Sequence, residues 1–148
     1  MTKNFSGYVL AGGKSSRMGT DKAFLKSGGE TFLERAARAL STGCGGRVKI
    51  VINEKQKAKF EKGFGSFEFV FDVFPECGAL GGIHAALKNC ESDFALILAC
   101  DLPFVTAGAI RALTEIALNS NEDISAVVPK QLDGRIQPLC AVYKIKFC

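Results

Sequence analysis

The amino-acid sequence predicts an α/β domain of three layers, α/β/α, in which helices cover both faces of a mostly parallel sheet. Apolar runs of strand length alternate along the chain with segments of helical periodicity, and this alternation is the order that builds a parallel sheet. One run, at residues 94–99, is apolar throughout, which is typical of a strand buried on both faces. The 148 residues, 47% of them hydrophobic, suffice for one domain with a core of its own.

The first half of the chain is predicted to contain three strands and two helices. A strand over residues 8–11 ends at Gly12-Gly13, because paired glycines mark a turn. Apolar residues recur at helical spacing between residues 30 and 42, and Gly43 is a suitable end for that helix. The other elements are a strand over 48–52 that ends at Asn53, a charged helix over 54–62 and a strand over 67–71 that ends at Asp72.

The second half is predicted to contain two helices and three strands. Three glycines between residues 78 and 82 lie at the start of a helix predicted over roughly 80–90. Because these residues have no side chains, the backbone there either approaches a ligand closely or packs tightly on the sheet. Thr106 is expected to cap a helix that runs to about Leu118. The strands are the apolar run 94–99, which ends at Cys100-Asp101, a fifth strand over 124–128 and, after a turn at Asp133-Gly134, a sixth over 136–143.

The composition argues against several classes of protein. No apolar run reaches the length of about 18 residues that a membrane span needs. The amino terminus lacks the apolar core of a secretion signal, so we expect a cytoplasmic location. The six cysteines form no C-x-x-C pair and His84 is the only histidine, which argues against a zinc site and predicts free thiols in a reducing compartment.

Positive charge is concentrated near the amino terminus, inside a glycine-rich segment. The net charge is +4, and residues 1–26 carry five cationic residues against Asp21 alone. The segment that follows the first strand contains glycines, which leave backbone amides accessible, together with cations and serine hydroxyls. This is the set of donors that a polyphosphate needs. These residues are Gly12, Gly13, Lys14, Ser15, Ser16, Arg17, Gly19 and Lys22.

This segment matches neither the G-x-x-x-x-G-K-[ST] phosphate loop nor the G-x-G-x-x-G dinucleotide pattern. A flexible basic turn without a ligand therefore stays an alternative. A nucleic-acid interface is disfavoured, because the excess of cations is confined to this segment and no aromatic residues are interleaved with it.

Polar residues follow three further strands of the predicted sheet. Because ligands bind at the carboxyl ends of parallel strands, Asn53, Asp72 and Asp101 are expected to face one crevice. Asp101 is a candidate ligand of Mg²⁺, which takes few protein carboxylates and completes its shell with phosphate oxygens and water. The alternative for Asp101 is a cap of the following turn or helix. Asn53 and Asp72 either hydrogen-bond a base or ribose or cap the next helix.

The motif Leu10-Ala-Gly-Gly-x-Ser-x-Arg-Met-Gly-x-Asp-Lys22 resembles the signature of the molybdenum cofactor guanylyltransferases, the enzymes that make molybdopterin guanine dinucleotide. The resemblance covers the chain from about Tyr8 to Tyr143 and implies a Rossmann-like fold of the nucleotide-diphospho-sugar transferase type. The Gly-Gly pair at 12–13 favours the guanylyl branch over cytidylyl relatives. Further matching segments are Val51-Ile-Asn53, the strand ending in Asp72, Gly78-Ala-Leu-Gly-Gly82, Cys100-Asp-Leu-Pro103 and Gln137-Pro-Leu-Cys-Ala-Val-Tyr143.

The resemblance implies a catalytic set, a metal ligand and a nucleotide-binding set. The catalytic set comprises Arg17, which meets the phosphates, Lys22, which reaches the nucleotide as a cation, and Asp101, which also holds Mg²⁺. The nucleotide-binding set consists of backbone groups near the paired glycines together with polar side chains. Its members are Leu10, Ala11, Gly12, Gly13, Lys22, Asn53, Asp72 and Asp101.

The implied reaction transfers GMP from GTP to the terminal phosphate of molybdopterin and releases pyrophosphate, with Mg²⁺ as cofactor. The implied partners are GTP and molybdopterin, together with molybdoenzyme apoproteins or their chaperones, and neither nucleic acid nor a membrane. Family members continue past the sixth strand with helices and an Asn-containing motif. This chain, a single domain over 1–148, is therefore expected to lack that carboxyl-terminal part. Two alternatives stay open: a related cytidylyl- or sugar-phosphate nucleotidyltransferase, and a GTP-binding remnant without catalysis.

Overall fold

A six-stranded sheet lies at the centre of the domain, with helices on both of its faces. The structure, a computed structural model, describes residues 3–12 and 21–147. In these residues the strands are β1 (Phe5–Leu10), β2 (Lys26–Ser27), β3 (Glu30–Thr31), β4 (Val48–Ile52), β5 (Glu68–Phe71), β6 (Phe94–Ala99), β7 (Ala126–Val127) and β8 (Cys140–Lys144), and the α-helices are α1 (Phe32–Cys44), α2 (Lys57–Phe64), α3 (Ala79–Lys88) and α4 (Ala107–Asn119).

The strand order of the central sheet is β5-β4-β1-β6-β8-β7. The first four run parallel, while β8 pairs antiparallel with both β6 and β7. Leu10 lies in register with Val51 on one side and with Ala99 on the other. The carboxyl ends of β1, β4 and β6 therefore meet at one edge of the sheet. The prediction of a mostly parallel sheet in a three-layer α/β/α domain is confirmed.

Alternate side chains of the strands enter two hydrophobic clusters, because successive residues of a strand point to opposite faces. Val9 and Leu96 belong to the cluster that contains apolar residues of α1, α2 and α4. Tyr8 and Ile97 belong to the cluster on the other face, which contains residues of α3. All four side chains are fully buried. Each face of the sheet thus has its own core.

Side-chain caps explain where two of the helices begin. Thr31 Oγ1 accepts the N–H of Glu34 at 3.1 Å, and Glu34 Oε2 accepts the N–H of Thr31 at 2.8 Å, so α1 begins two residues later than predicted. It ends at Gly45, whose φ of 64° suits glycine, rather than at Gly43. Thr106 caps α4 as predicted, since its Oγ1 accepts the N–H of Ala109.

The strands β4 and β6 have their predicted bounds, whereas the last two strands are shorter than predicted. The prediction of a strand over 124–128 is corrected to β7, and the sixth strand begins at Cys140 instead of residue 136. Pro129 and Pro138 have no N–H to donate to a strand ladder. Between them the chain turns on itself, and Gly134, with a φ of 90°, donates its N–H to the carbonyl oxygen of Gln131 at 2.9 Å.

The strands β2 and β3 form a hairpin that was not predicted. The predicted helix began at residue 30, which is the first residue of β3. Gly28 and Gly29 connect its strands with φ values of 64° and 82°, as a two-residue hairpin turn requires. Among the helices in the described part of the chain, none combines the length and the apolar character that crossing a membrane requires.

Candidate functional site

A cavity of about 170 Å³ opens at the edge where the carboxyl ends of β1, β4 and β6 meet. Its wall combines backbone from the end of β1, a lysine, two aspartates and the first turn of α3. The lining residues are Leu10, Ala11, Gly12, Lys22, Ala23, Val51, Asp72, Gly78, Ala79, Gly82, Ala99, Cys100, Asp101 and Leu139. Most of the sequence-predicted site residues that the structure describes are therefore brought together here.

The end of β1 supplies a backbone wall that its neighbours hold in place. The N–H of Ala11 donates to the carbonyl oxygen of Val51 at 2.9 Å, and the N–H of Cys100 donates to that of Leu10 at 3.1 Å. A Cβ on Gly12 would meet the backbone of β4 only at an ordinary 3.6 Å. Packing therefore does not require glycine at position 12, and a bare backbone there is available for close approach by a ligand.

Lys22 and Asp101 form an ion pair in the wall of the cavity. Lys22 begins a short 3₁₀-helix, Lys22–Phe24, and Asp101 follows β6. The Lys22 Nζ lies 3.7 Å from Asp101 Oδ2, and the two side chains are 44% and 47% exposed. Such an open ion pair is weak, so each group is available to a charged ligand.

Cys100 lines the same cavity, where its thiol is a poor nucleophile. Burial raises the pKa of this thiol from the ordinary 9.0 to about 12, and the charge of the neighbouring Asp101 adds to that rise. The thiol is therefore protonated at neutral pH. Asp101 stays the predicted metal ligand at this end of β6.

Asp72 is 7% exposed and lies between β5 and the first turn of α3. Its Oδ1 accepts the N–H of Phe74 at 2.7 Å. A Cβ on Gly81 would lie 2.6 Å and 2.7 Å from the two carboxylate oxygens of Asp72, so only glycine lets α3 come this close. The carboxylate thus packs directly against the first turn of α3.

The predicted glycines at the start of α3 have separate roles. Gly78, which precedes the helix, has a φ of 61° and a ψ of −138°, a conformation that only glycine adopts readily. Gly82 lies against β1, where a Cβ would meet the Leu10 side chain at 3.4 Å. Gly78 and Gly82 line the cavity, and Gly81 lets α3 pack close to Asp72, which agrees with the packing interpretation. A close approach of this backbone to a ligand stays a prediction.

Asn53 is not among the cavity-lining residues. Its Oδ1 accepts the N–H of Gln56 at 3.2 Å and so caps the 3₁₀-turn Glu54–Gln56, while its Nδ2 donates to the carbonyl oxygen of Gly12 at 3.4 Å. The capping interpretation of Asn53 is confirmed. A direct contact with a nucleotide stays a prediction.

Two predicted residues, Gly13 and Arg17, lie outside the described residues, as does the rest of the segment 13–20. In the described ranges, no group of three or more His, Cys, Asp or Glu side chains could hold a metal ion by itself. His84 is not a lining residue of the cavity; its ring packs edge-on against Phe74 with centroids 5.2 Å apart. A metal at this site would therefore depend on Asp101 and on oxygens of a ligand.

Sequence reasoning missed Gln56 at the border of the site. Its Nε2 donates to the carbonyl oxygen of Ala11 at 3.2 Å and lies 3.5 Å from Asp21 Oδ1. The signal that could have found it is the pattern Asn53-x-x-Gln56, in which the first residue caps a helix and the fourth bonds back to it.

Comparison with known proteins places this geometry in a family. Residues 7–147 match the family described as the MobA-like NTP transferase domain. A probable molybdenum cofactor guanylyltransferase of Clostridium perfringens (strain 13 / Type A) is 40% identical over 140 residues, which cover 94% of this chain and 65% of that protein. A protein of the same name from Geobacillus sp. (strain WCH70) is 33% identical over 144 residues, which cover 97% of this chain and 71% of that protein.

Among solved structures, this chain is similar to the crystal structure of molybdopterin-guanine dinucleotide biosynthesis protein A from Archaeoglobus fulgidus. The two superimpose with a TM-score of 0.75 at 25% sequence identity, and the match covers 95% of this chain and 68% of that one. The chain thus spans about 65% of the length of the Clostridium perfringens protein. The resemblance to the molybdenum cofactor guanylyltransferases is confirmed, and the matching region covers nearly the whole chain. The chain belongs to the family of the MobA-like NTP transferase domain.

Proposed function

We propose that this chain is a nucleotidyltransferase domain that transfers GMP from GTP to the terminal phosphate of molybdopterin, with release of pyrophosphate. One observation carries the proposal: backbone of the paired-glycine motif, the Lys22 ammonium and the Asp101 carboxylate line one cavity at the carboxyl edge of the sheet. The 40% identity to a protein named probable molybdenum cofactor guanylyltransferase supports the choice of GTP and molybdopterin as substrates. Molybdoenzyme apoproteins or their chaperones stay predicted protein partners.

In this proposal the nucleotide lies across the ends of β1 and β4. The backbone of Leu10, Ala11 and Gly12, continued by Gly13, takes up the nucleotide, and Lys22 and Arg17 neutralise the charge of its phosphates. Asp72 and Asn53 complete the nucleotide-binding set. The support is that Leu10–Gly12, Lys22 and Asp72 line the same cavity, and that Asn53 bonds to Gly12.

The proposed metal ligand is Asp101, with Mg²⁺ as the ion. The donor set fits this ion, because Mg²⁺ is commonly bound by one or two carboxylates together with substrate phosphates rather than by an all-protein cage. The Asp101 carboxylate is 47% exposed, and its ion pair with Lys22, at 3.7 Å, is an open one. When bound there, the ion supplies charge neutralisation to the phosphates of the nucleotide.

The proposed chemistry needs no nucleophile from the protein. An oxygen of the molybdopterin phosphate forms a bond to the α-phosphorus of GTP, and the bond between that phosphorus and the oxygen bridging to the β-phosphate breaks, so that pyrophosphate leaves with the electron pair. Catalysis then consists of positioning the two substrates and stabilising the developing negative charge. The high pKa of the Cys100 thiol, about 12, agrees with a mechanism in which no side chain attacks.

The test is a pyrophosphate-release assay with GTP, Mg²⁺ and molybdopterin, repeated with CTP in place of GTP. Release that depends on both GTP and molybdopterin is the expected result. Release with CTP instead would favour the cytidylyl alternative. Tight GTP binding by calorimetry without any release would favour the alternative of a GTP-binding remnant, and no binding of either nucleotide would overturn the proposal.

A further inference from the structure

The turn that follows β4 contacts the glycine-rich motif from outside the cavity. The Gln56 carboxamide donates to the carbonyl oxygen of Ala11 at 3.2 Å, and the same nitrogen lies 3.5 Å from Asp21 Oδ1. Ala11 belongs to the backbone wall of the cavity, and Asp21 directly precedes Lys22. Gln56 itself does not line the cavity. One side chain therefore connects two parts of the site without lying in it.

The orientation of the Gln56 carboxamide is determined by a reciprocal cap. Its Oε1 accepts the N–H of Asn53 at 3.1 Å, while its own backbone N–H donates to Asn53 Oδ1 at 3.2 Å. With the oxygen occupied in this way, the two hydrogens on Nε2 point away from the turn, towards Ala11 and Asp21. The amide group cannot flip without breaking the cap, so its donor side faces the site.

The helix α2 contacts Asp21 and Phe24, which lie on either side of Lys22. Lys59 Nζ lies 2.9 Å from Asp21 Oδ2 and 4.7 Å from the centroid of the Phe24 ring. Phe24 ends the 3₁₀-helix that Lys22 begins, and its ring packs against Phe60 and Phe64 of α2. The backbone from which the Lys22 side chain extends is thus attached to the protein on both sides of Lys22.

We propose that Gln56 is a positioning residue for nucleotide binding: its carboxamide sets the spacing between the backbone wall at Ala11 and the base of Lys22. The inference rests on the proposed function, since it assumes that a nucleotide occupies the cavity. Phosphate recognition requires donors at a defined separation, so a change in this spacing weakens binding even though no ligand contact is removed.

The substitution Gln56→Glu separates a role of Gln56 in positioning from its role in capping the turn. Gln56→Glu keeps the oxygen that accepts the Asn53 N–H, so the cap and the turn are retained. It removes both N–H donors and brings a carboxylate towards the Ala11 carbonyl oxygen and the Asp21 carboxylate, which repel it. Lys55→Gln is the matched control, because it changes the charge by the same amount at an exposed position in the same turn.

The experiment measures the dissociation constant of GTP in the presence of Mg²⁺ by calorimetry, and the melting temperature, for the wild type, Gln56→Glu and Lys55→Gln. We expect Gln56→Glu to weaken GTP binding about tenfold, the effect of losing a partly buried hydrogen bond and gaining a repulsion. The control should bind within about twofold of the wild type. Gln56→Glu should melt a few degrees below the control, because it loses the hydrogen bond to Ala11, but both variants should be fully folded at the temperature of the titration, since both keep the cap of the turn.

A second variant tests the contact of Asp21 with α2 and keeps the cap of the turn. Lys59→Gln removes the cation that lies 2.9 Å from Asp21 Oδ2, so we expect it to weaken GTP binding more than Lys55→Gln, which is the same change at a neighbouring exposed position. Unchanged affinity in Gln56→Glu, or an equal loss in the Lys55→Gln control, would overturn the inference. If the wild type itself binds no GTP, the proposed function fails, and the inference fails with it.

Discussion

Lys22 and Asp101 are two residues at which function can be separated from folding. Their side chains are nearly half exposed and their charged atoms are 3.7 Å apart, so their interaction contributes at most about 1 kcal/mol to stability. Without a ligand, each partly neutralises the other. A triphosphate would be a stronger partner for Lys22, and a divalent cation a stronger partner for Asp101. A charged hydrogen bond in an enclosed site is stronger than an ion pair exposed to water. Substitutions here should therefore alter binding with little cost to the fold.

Replacing Lys22 by alanine tests the cation of the site. We expect Lys22→Ala to weaken GTP binding about 10- to 100-fold, which corresponds to the loss of one charged hydrogen bond of roughly 1.5–3 kcal/mol. The melting temperature should change little. Calorimetric titration with GTP measures the effect, and Lys26→Ala, which removes an exposed lysine of β2, is the control that should leave GTP affinity nearly unchanged. Equal losses in both variants would mean that only overall charge matters.

Replacing Asp101 by asparagine tests the metal ligand. Asp101→Asn keeps the size of the side chain but removes its charge, so any pyrophosphate release should no longer respond to added Mg²⁺. The measurement is the rate of release as a function of Mg²⁺ concentration, with the exposed Asp123→Asn as a control that should follow the wild-type curve. A metal dependence that survives in Asp101→Asn would remove this residue from the proposed metal site.

The helix α3 depends on glycine at position 81 for its close approach to Asp72. Gly81→Ala would place its Cβ 2.6 Å and 2.7 Å from the Asp72 carboxylate oxygens and against the carbonyl oxygen of Phe74. The helix would have to move away from β5, at a cost of about 1–3 kcal/mol that exceeds the roughly 1 kcal/mol by which alanine favours a helix. Because Asp72 lines the cavity, GTP affinity should fall as well.

The free energy of unfolding in urea is the measure for this comparison, and α4 provides the control. A Cβ on Gly108 has its nearest neighbour at 3.7 Å, so Gly108→Ala should be neutral or stabilising by up to about 1 kcal/mol. A Gly81→Ala protein as stable as Gly108→Ala would show that α3 adjusts its position freely.

The bounds of the elements were predictable where the sequence itself contains the cause. Buried parallel strands are continuous apolar runs, so β4 and β6 end where their apolar runs end. The bounds of β7 and β8 depend instead on which residues pair at the edge of the sheet, and of the causes only Pro129 and Pro138 are visible in the local sequence. The same reason applies to the site. Asp101 is recognisable from its strand end, whereas Gln56 acts on residues 45 and 35 positions away.

At the scale of the whole molecule, the two cores hold titratable groups in their neutral forms. Burial raises the pKa of the Cys44 and Cys140 thiols above the ordinary value of 9.0. It also raises that of the Tyr8 phenol, whose hydroxyl donates to the carbonyl oxygen of Asn89 at 3.2 Å. These groups lie on different elements, so their ionisation acts on the stability of the domain as a whole rather than on one site.

This burial predicts a loss of stability at alkaline pH. Above pH 9.0 the thiols of the unfolded chain lose their protons while the folded protein retains them, so rising pH favours the unfolded chain. Each such thiol contributes a fall of up to about 1.4 kcal/mol per pH unit in the free energy of unfolding, until its folded-state pKa is reached. Urea denaturation at pH 8 and pH 10 should therefore show a clear decrease. Cys140→Ala should reduce that decrease, whereas Cys77→Ala, which removes an exposed thiol, should not. Equal stability of the wild type at the two pH values would contradict the burial of these groups in the folded protein.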